Sequence, residues 1–288
     1  MVELFLQPFT DFDFMRRAWF GCMVISIGAS PLGVFLMLRR MSLAGDAMAH
    51  AILPGAAVGY LIGGLSLSAM TFGGALCGLI VAFLSGLIAR TTVLKEDASL
   101  AAFYIISLAL GVLIISVRGD NVDLIHILFG TVLALNDDAL MLLCATSSIT
   151  ILTMSLLFRL ILIESVDAQF LSSVSRWGAV AHYAFLALVV LNLVSGFHAI
   201  GSLMIIGVML LPATSARFWA RSVSQLILVS FVIATISSTL GLLASFHFSL
   251  PSGPSIILTT GVFYLGSLIF GLEGGWLAPY YQSTKVNS

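Results

Sequence analysis

The stretch AWFGCMVISIGASPLGVFLML, residues 18 to 38, decides the fold class, because no charged side chain interrupts it. A helix of about 20 apolar residues crosses a hydrocarbon core roughly 30 Å thick. Similar runs recur along the chain of 288 residues, which is 60% hydrophobic and 9% charged with a mean hydropathy of +1.13. A soluble domain is usually about 25% charged. The sequence therefore predicts an all-α polytopic membrane protein, surrounded by lipid, with no second, soluble domain.

Apolar length, with Gly, Pro or charge at the ends, divides the chain into about nine (eight to nine) transmembrane helices. The predicted spans are residues 18–38, 45–64, 68–90, 98–117, 139–160, 178–196, 199–216, 223–246 and 254–271. The stretch 118–138 is short and charged at both ends, so we do not count it as a crossing. It could be an interfacial helix or a re-entrant segment. We expect residues 1–288 to form one transmembrane domain.

Basic residues predict the orientation of these spans, since cytoplasmic loops carry an excess of Lys and Arg. If the nine spans are correct, one side, which we take to be the cytoplasm, carries Arg39, Arg40, Arg90, Lys95, Arg159, Arg176, Arg217, Arg221 and Lys285. The opposite side carries Arg16, Arg17 and Arg118 with Glu3, Asp11, Asp13, Asp120, Asp123, Asp137 and Asp138. The two N-terminal arginines are the weakest part of this assignment.

Small residues are dense within the predicted spans, as in GAAVGYLIGG (55–64) and GGALCG (73–78). Such residues allow helix backbones to approach closely in lipid, where apolar burial alone does not drive association. We therefore expect a tightly packed bundle. Cys22, Cys77 and Cys144 lie far apart in apolar segments, and we interpret them as packing residues.

The segment RRMSLAGDAMAHAILPG, residues 39 to 55, places an aspartate and a histidine in an otherwise apolar span, where we expect both to be buried. Asp46 and His50 are spaced i, i+4, so they point to one face of a helix. A carboxylate and an imidazole on one face can bind a divalent transition-metal ion, with water or another helix supplying further ligands. The alternative is a hydrogen-bonded pair that locks two helices together, and the residues alone leave both open. Pro54 directly after the pair permits a kink, but proline is common in membrane helices and says little on its own.

This segment resembles the early signature of the zinc/manganese-type ABC transporter permeases, in which an arginine pair, Gly-Asp and Ser-His-Ala-x-x-Pro-Gly occur in this order. AIGSLMIIGVMLLPATSARF (199–218) is similar to the later Gly-x-Leu-rich span of that family, which ends in Pro-Ala-x-x-Ala. LPSGPSIIL (250–258) is similar to its Pro-x-Gly-Pro segment before the last span. Ala49 departs from the family, which usually has serine before the histidine.

The resemblance implies an ABC importer permease-like bundle that works as a homodimer in the bacterial cytoplasmic (inner) membrane. Its partners would be a cytoplasmic ABC ATPase subunit and an extracytoplasmic metal-binding protein. The transported ion would be zinc, manganese or iron, because oxygen and nitrogen ligands accept all three. The resemblance favours Asp46 and His50 as transient ligands that line the ion path over a purely structural pair. It implies no permanently bound cofactor and no enzymatic activity of the chain itself.

The lysines argue against a phosphate-binding loop in this chain. Lys95 and Lys285 are its two lysines, and neither follows a Gly-x4-Gly motif. A separate ATPase would therefore dock at the longest predicted cytoplasmic connection, RLILIESVDAQFLSSVSRWG (159–178). In the family this connection provides a coupling helix, which we expect within residues 161–177 as an amphipathic helix, the alternative being an ordinary charged loop. The predicted coupling residues are Glu164, Asp167, Phe170, Leu171 and Arg176.

Two functions of other classes compete with this prediction. An ion-coupled secondary transporter for a metal or another cation would also need Asp and His within the membrane. A membrane metalloprotease would need a ligand set such as His-Glu-x-x-His, which the sequence lacks. The net charge of −1 gives no reason to expect nucleic acid as a partner. The sequence leaves open the roles of four further histidines: His126, His182, His198 and His247.

Overall fold

Helices form the regular structure in the computed structural model, which describes residues 2–64, 66–93, 95–118, 132–175 and 177–277. The first six are α1 (Val2–Asp11), α2 (Asp13–Leu38), α3 (Ala44–Ala51), α4 (Leu53–Gly63), α5 (Leu67–Thr91) and α6 (Glu96–Arg118). The next six are α7 (Asp137–Val166), α8 (Ala168–Val174), α9 (Trp177–Ile200), α10 (Ser202–Ala216), α11 (Val223–Phe248) and α12 (Ser252–Phe270). A 3₁₀ turn covers Val132–Ala134.

These helices reproduce the predicted spans. Among the described residues, seven helices are long and apolar enough to cross a membrane: α2, α5, α6, α7, α9, α11 and α12. The predicted span 199–216 is α10, which has only 15 residues, and the predicted span 45–64 is divided between α3 and α4. Each predicted span thus corresponds to a helix or a pair of helices, and the all-α membrane fold is confirmed.

The second predicted span is broken at Ile52, between α3 and α4. Pro54 is the second residue of α4, where its missing N–H costs no helical hydrogen bond. A boundary between two helices therefore lies between the Asp46–His50 pair and Pro54, although Ile52 itself keeps helical dihedrals of φ −73° and ψ −27°. α3 is a helix of eight residues.

The stretch 118–138 lies mostly outside the described residues, because residues 119–131 are not part of them. After the 3₁₀ turn, Asn136 caps α7 by accepting a hydrogen bond from the Ala139 N–H at 2.8 Å. Whether the stretch is interfacial or re-entrant stays a prediction.

Ion pairs show which helix ends lie together. Arg17 near the start of α2 is 3.2 Å from Asp137 at the start of α7. Arg39, directly after α2, pairs with Glu164 in the last turn of α7. Both pairs require α2 and α7 to run in the same direction, as the first and fifth of nine alternating spans must. The two ends of the helix bundle therefore carry the two groups of charged residues that the sequence assigns to opposite sides of the membrane.

Close contacts between small residues hold the bundle together. A Cβ atom on Gly33 would lie 1.8 Å from the carbonyl oxygen of Met209, so α2 and α10 touch backbone to backbone. Gly55 and Gly73 make the same kind of contact between α4 and α5, at 2.1 Å. The tight packing predicted from the small residues is confirmed. α2 and α9 are the innermost spans, with 72% of their apolar windows buried, whereas α6 is 22% buried and faces outward.

Candidate functional site

Asp46 and His50 lie on α3, one helical turn apart as their spacing predicts. His50 Nε2 is 3.5 Å from Asp46 Oδ1, so the two side chains meet on one face. His50 also packs against the ring of Tyr104 on α6, with the ring centroids 5.3 Å apart. Its Nδ1 is buried and has no hydrogen-bond partner among the described residues. Because α3 contacts α5, α6, α9 and α10, the pair lies next to four spans.

The expectation that Asp46 is buried is wrong for the single chain. Its side chain is 53% exposed, whereas that of His50 is 19% exposed. The other faces of α3 make the close contacts, because they carry small residues. Gly45 packs against the end of Met209 on α10, and Ala49, where the family usually has serine, is 1% exposed. Asp46 is left on the open face of the helix.

These contacts bear on the two interpretations of the pair, which both stay predictions. Among the described residues, the ionic contact of Asp46 is with His50 of the same helix, so it does not tie α3 to a second one. A separation of 3.5 Å is also longer than an ordinary hydrogen bond. Two donors each about 2.1 Å from one ion subtend a nearly tetrahedral angle when they are about 3.5 Å apart. The separation of 3.5 Å is compatible with two ligands of one ion.

The predicted coupling segment, residues 161–177, contains the short helix α8. Asp167 caps it, since its side chain accepts a hydrogen bond from the Phe170 N–H at 2.8 Å. Phe170 is 55% exposed, whereas Leu171 is 3% exposed and packs inward. α8 therefore has an outer and an inner face, as an amphipathic helix must. Arg176 lies outside the described residues.

Glu164 occupies a different place from the one predicted for a docking residue. It lies in the last turn of α7 with a side chain that is 4% exposed. It pairs with Arg39, and its Oε1 is 2.9 Å from His182 Nδ1 and 3.6 Å from Arg90 Nη2. Its carboxylate is therefore buried among Arg39, Arg90 and His182 of the same chain, and its predicted part in coupling stays a prediction.

Glu96 at the start of α6 completes this group. We call the group the Glu164 cluster: Arg39, Arg90, Glu96, Glu164 and His182. His182 Nε2 is 3.1 Å from Glu96 Oε1, which is an ion-pair distance without the alignment of a hydrogen bond. Burial lowers the pKa of the Arg39 guanidinium, and the Glu164 and Glu96 carboxylates oppose this change. The two carboxylates therefore compensate the buried charge of Arg39.

Sequence reasoning missed this cluster. Its members lie near the ends of predicted spans, on the side predicted to be cytoplasmic, and this shared depth is the signal that could have found them. The sequence does not show that these residues pair, because each of them lies at the end of a different helix. In chain order, Arg39 follows α2, Arg90 lies at the end of α5, Glu96 begins α6, Glu164 lies at the end of α7 and His182 lies near the start of α9.

Comparison with known proteins identifies the family. The model of the ABC 3 transport family matches residues 11–271. This chain belongs to that family. The resemblance carried by the motifs is thereby confirmed, and with its apolar helices the ABC 3 chain is a multi-pass protein of the cytoplasmic membrane.

Relatives of this ABC 3 chain match nearly its full length. The manganese import system permease protein ScaB of Streptococcus gordonii is 32% identical over 278 residues, which cover 96% of this chain and 98% of ScaB. The manganese transport system membrane protein MntC of Listeria monocytogenes is 28% identical over 276 residues, 95% of this chain and 96% of MntC. The structure of PsaBC from Streptococcus pneumoniae in complex with Fab is similar, with 30% identity and a TM-score of 0.83. The match covers 97% of this chain and 100% of that chain.

The donor set of this ABC 3 chain is small. Over the described ranges, no group of three or more His, Cys, Asp or Glu side chains could hold a metal ion. If Asp46 and His50 bind an ion, they provide two protein donors per chain. A transition-metal ion takes four or more ligands, so further donors must come from water or from outside the chain.

The remaining histidines have other surroundings. His182 belongs to the Glu164 cluster. His247 Nδ1 lies 2.9 Å from the carbonyl oxygen of Leu243, one turn earlier in α11. His126 and the side chain of His198 lie outside what the structure describes. Neither His182 nor His247 is close to the Asp46–His50 face by any recorded contact.

Proposed function

We propose that this ABC 3 chain is the membrane-spanning permease subunit of an importer for a divalent transition-metal ion, with manganese first among manganese, iron and zinc. The names of ScaB and MntC support manganese, since both proteins align with nearly the whole chain. The observation that carries the proposal is the Asp46–His50 pair, a carboxylate and an imidazole 3.5 Å apart on a helix that contacts four spans. Oxygen and nitrogen donors accept all three metals.

The exposure of Asp46 supports a homodimer. Its side chain is 53% exposed in the single chain, and a carboxylate that faces lipid is costly. A second copy that covered this face would contribute its own Asp46 and His50. The ion would then pass between four protein donors instead of two. These donors are transient ligands, because conduction requires binding that is weak enough for release.

The coupling segment, residues 161–177 of a single permease domain, supports a cytoplasmic ABC ATPase as the source of energy. Phe170 is exposed on α8, and Val166 and Trp177 on either side of it are 80% and 60% exposed. Exposed aromatic side chains of this kind anchor protein interfaces. An extracytoplasmic binding protein would deliver the metal ion at the opposite helix ends. The permease holds no permanent cofactor and performs no covalent step.

The test is Mn²⁺ uptake into proteoliposomes that contain the permease, its ATPase and its metal-binding protein. Asp46→Asn and His50→Ala should each reduce ATP-dependent uptake by at least about tenfold, as loss of a ligand would. The complex should still assemble at wild-type yield, because the pair makes its ionic contact within α3. The matched control combines Asp97→Asn with His247→Ala and should transport normally.

Other outcomes would favour the competing interpretations. A pair that locks helices would lower yield and uptake together. Wild-type uptake in a well-expressed Asp46→Asn, His50→Ala double variant would exclude the pair from the ion path. Uptake that persists without ATP would favour an ion-coupled secondary transporter.

A further inference from the structure

The Glu164 cluster holds both ends of the segment that contains α8. Glu164 lies in the last turn of α7, directly before α8, and His182 lies in the second turn of α9, directly after it. Both contact the same guanidinium, since Arg39 pairs with Glu164 and its Nη1 is 3.3 Å from His182 Nδ1. A displacement of α8 therefore acts on Arg39 through both flanking helices.

Arg39 also stands at the start of the turn that leads into α3. Met41 N–H donates to the Leu36 carbonyl at 2.9 Å, and Arg40 adopts the left-handed φ of 59° that this helix-ending turn requires. Ala44 N–H, at the start of α3, donates to the Met41 carbonyl at 3.0 Å. Because hydrogen bonds tie both ends of the turn, a movement of Arg39 is passed to α3 and is not absorbed by a loose loop.

The cluster is suited to transmit a displacement because it is buried and multiply connected. The side chains of Arg39 and Glu164 are 7% and 4% exposed, so water does not readily replace their contacts. Arg39 Nε also donates to Ser165 Oγ at 3.0 Å, and its guanidinium lies 4.1 Å over the Phe185 ring. An unpaired buried charge is costly, so such a network has few alternative arrangements and moves as a unit.

We propose that Arg39, Glu164 and His182 are positioning residues that carry the movement of α8 to the Asp46–His50 face of α3. This inference rests on the proposed function, in which α8 docks the ATPase and α3 lines the ion path. None of the three residues touches the ion. Breaking the cluster uncouples ATP hydrolysis from transport while both the docking face and the ligands stay in place.

The test measures Mn²⁺ ions taken up per ATP hydrolysed by the reconstituted complex of permease, ATPase and metal-binding protein. Glu164→Gln leaves the buried Arg39 without its carboxylate, whereas Arg39→Gln leaves Glu164 with Arg90 and His182 but without its shortest ion pair, so both single variants lose folded complex as well as coupling. The double variant Arg39→Gln, Glu164→Gln removes both charges, which restores the yield but not the connection. The matched control is Arg221→Gln, which breaks an exposed pair with Glu273 at the same predicted side.

The double variant should take up about tenfold fewer Mn²⁺ ions per ATP than the wild type, a typical size for coupling between sites. Arg221→Gln should keep the wild-type ratio. Spin labels at Ser173→Cys on α8 and at Leu43→Cys before α3, both exposed positions, give a second readout. The change in their distance on ATP binding should be lost in the double variant.

The outcomes distinguish this inference from the proposed function. A double variant with the wild-type ratio, or with a distance change of wild-type size, would overturn the inference alone and leave the cluster as structural support. A wild-type complex without ATP-dependent Mn²⁺ uptake would overturn the proposed function, and the inference with it.

Discussion

Glu164 offers the most quantitative prediction, because its loss leaves buried cations without their partner. Glu164→Gln keeps the shape of the side chain, but Arg39 and His182, each 7% exposed, lose their carboxylate. Breaking a buried ion pair by removing one partner typically costs about 3–5 kcal/mol of unfolding free energy. At roughly 2 °C per kcal/mol for a chain of this size, the Tm should fall by about 6–10 °C.

The assay is thermal unfolding of the purified chain in detergent micelles. The Arg39→Gln, Glu164→Gln double variant should recover about half of the lost stability or more, because neither charge is then buried alone. Arg221→Gln should unfold at the wild-type temperature, since its pair with Glu273 is exposed and such pairs contribute little. An unchanged Tm in Glu164→Gln would refute the reasoning, and so would a double variant that is less stable than either single variant.

Two further predictions concern the docking face and the packing of the helices. Phe170→Asp should weaken binding of the ATPase in pull-down titrations by about 30-fold, roughly 2 kcal/mol, without lowering the Tm, because Phe170 is 55% exposed. Leu171→Ala, at a buried position, should instead cost about 2–3 kcal/mol of stability. Normal assembly and transport in Phe170→Asp would show that α8 does not dock the ATPase. Gly33→Ala should destabilise the chain by about 1–3 kcal/mol, because its Cβ would meet the Met209 carbonyl at 1.8 Å. Gly261→Ala, with nothing within 4 Å, should be neutral or stabilising by up to about 1 kcal/mol, and equal Tm values for the two glycine variants would contradict the packing argument.

The membrane fold could be predicted because each span is a local property of the sequence. Hydrophobicity and length mark a span without reference to its neighbours, and so the predicted spans correspond to the observed helices. The segment 45–64 shows the limit of this approach. Its hydropathy predicts one span and Pro54 permits a kink, but the segment forms two helices that meet at Ile52, and α3 packs against four helices besides α4.

The burial of the two most informative carboxylates, Asp46 and Glu164, could not be predicted from the sequence. Glu164 lies in a polar stretch after an apolar run, which is typical of a solvated loop, yet Arg39, Arg90 and His182 surround it. Asp46 lies in an apolar run, which is typical of a buried residue, yet it faces the open side of α3. Burial of a charge is decided by partners from other helices, and a single sequence does not contain that pairing.

The number of oppositely charged neighbours within the chain distinguishes a carboxylate that stabilises the fold from one that is available to bind an ion. Glu164 is contacted by Arg39, Arg90 and His182 and is 4% exposed, so it has no free position for a ligand. Asp46 has one neighbour of this kind, His50 at 3.5 Å, and is 53% exposed. The histidines differ in the same way, since both ring nitrogens of His182 lie near carboxylates, whereas His50 Nδ1 has no partner among the described residues. Uncompensated charge persists in a membrane bundle where a ligand, a partner chain or water completes it. The ion path that we propose therefore passes α3, and the mechanical role that we propose belongs to the Glu164 cluster at the end of α7.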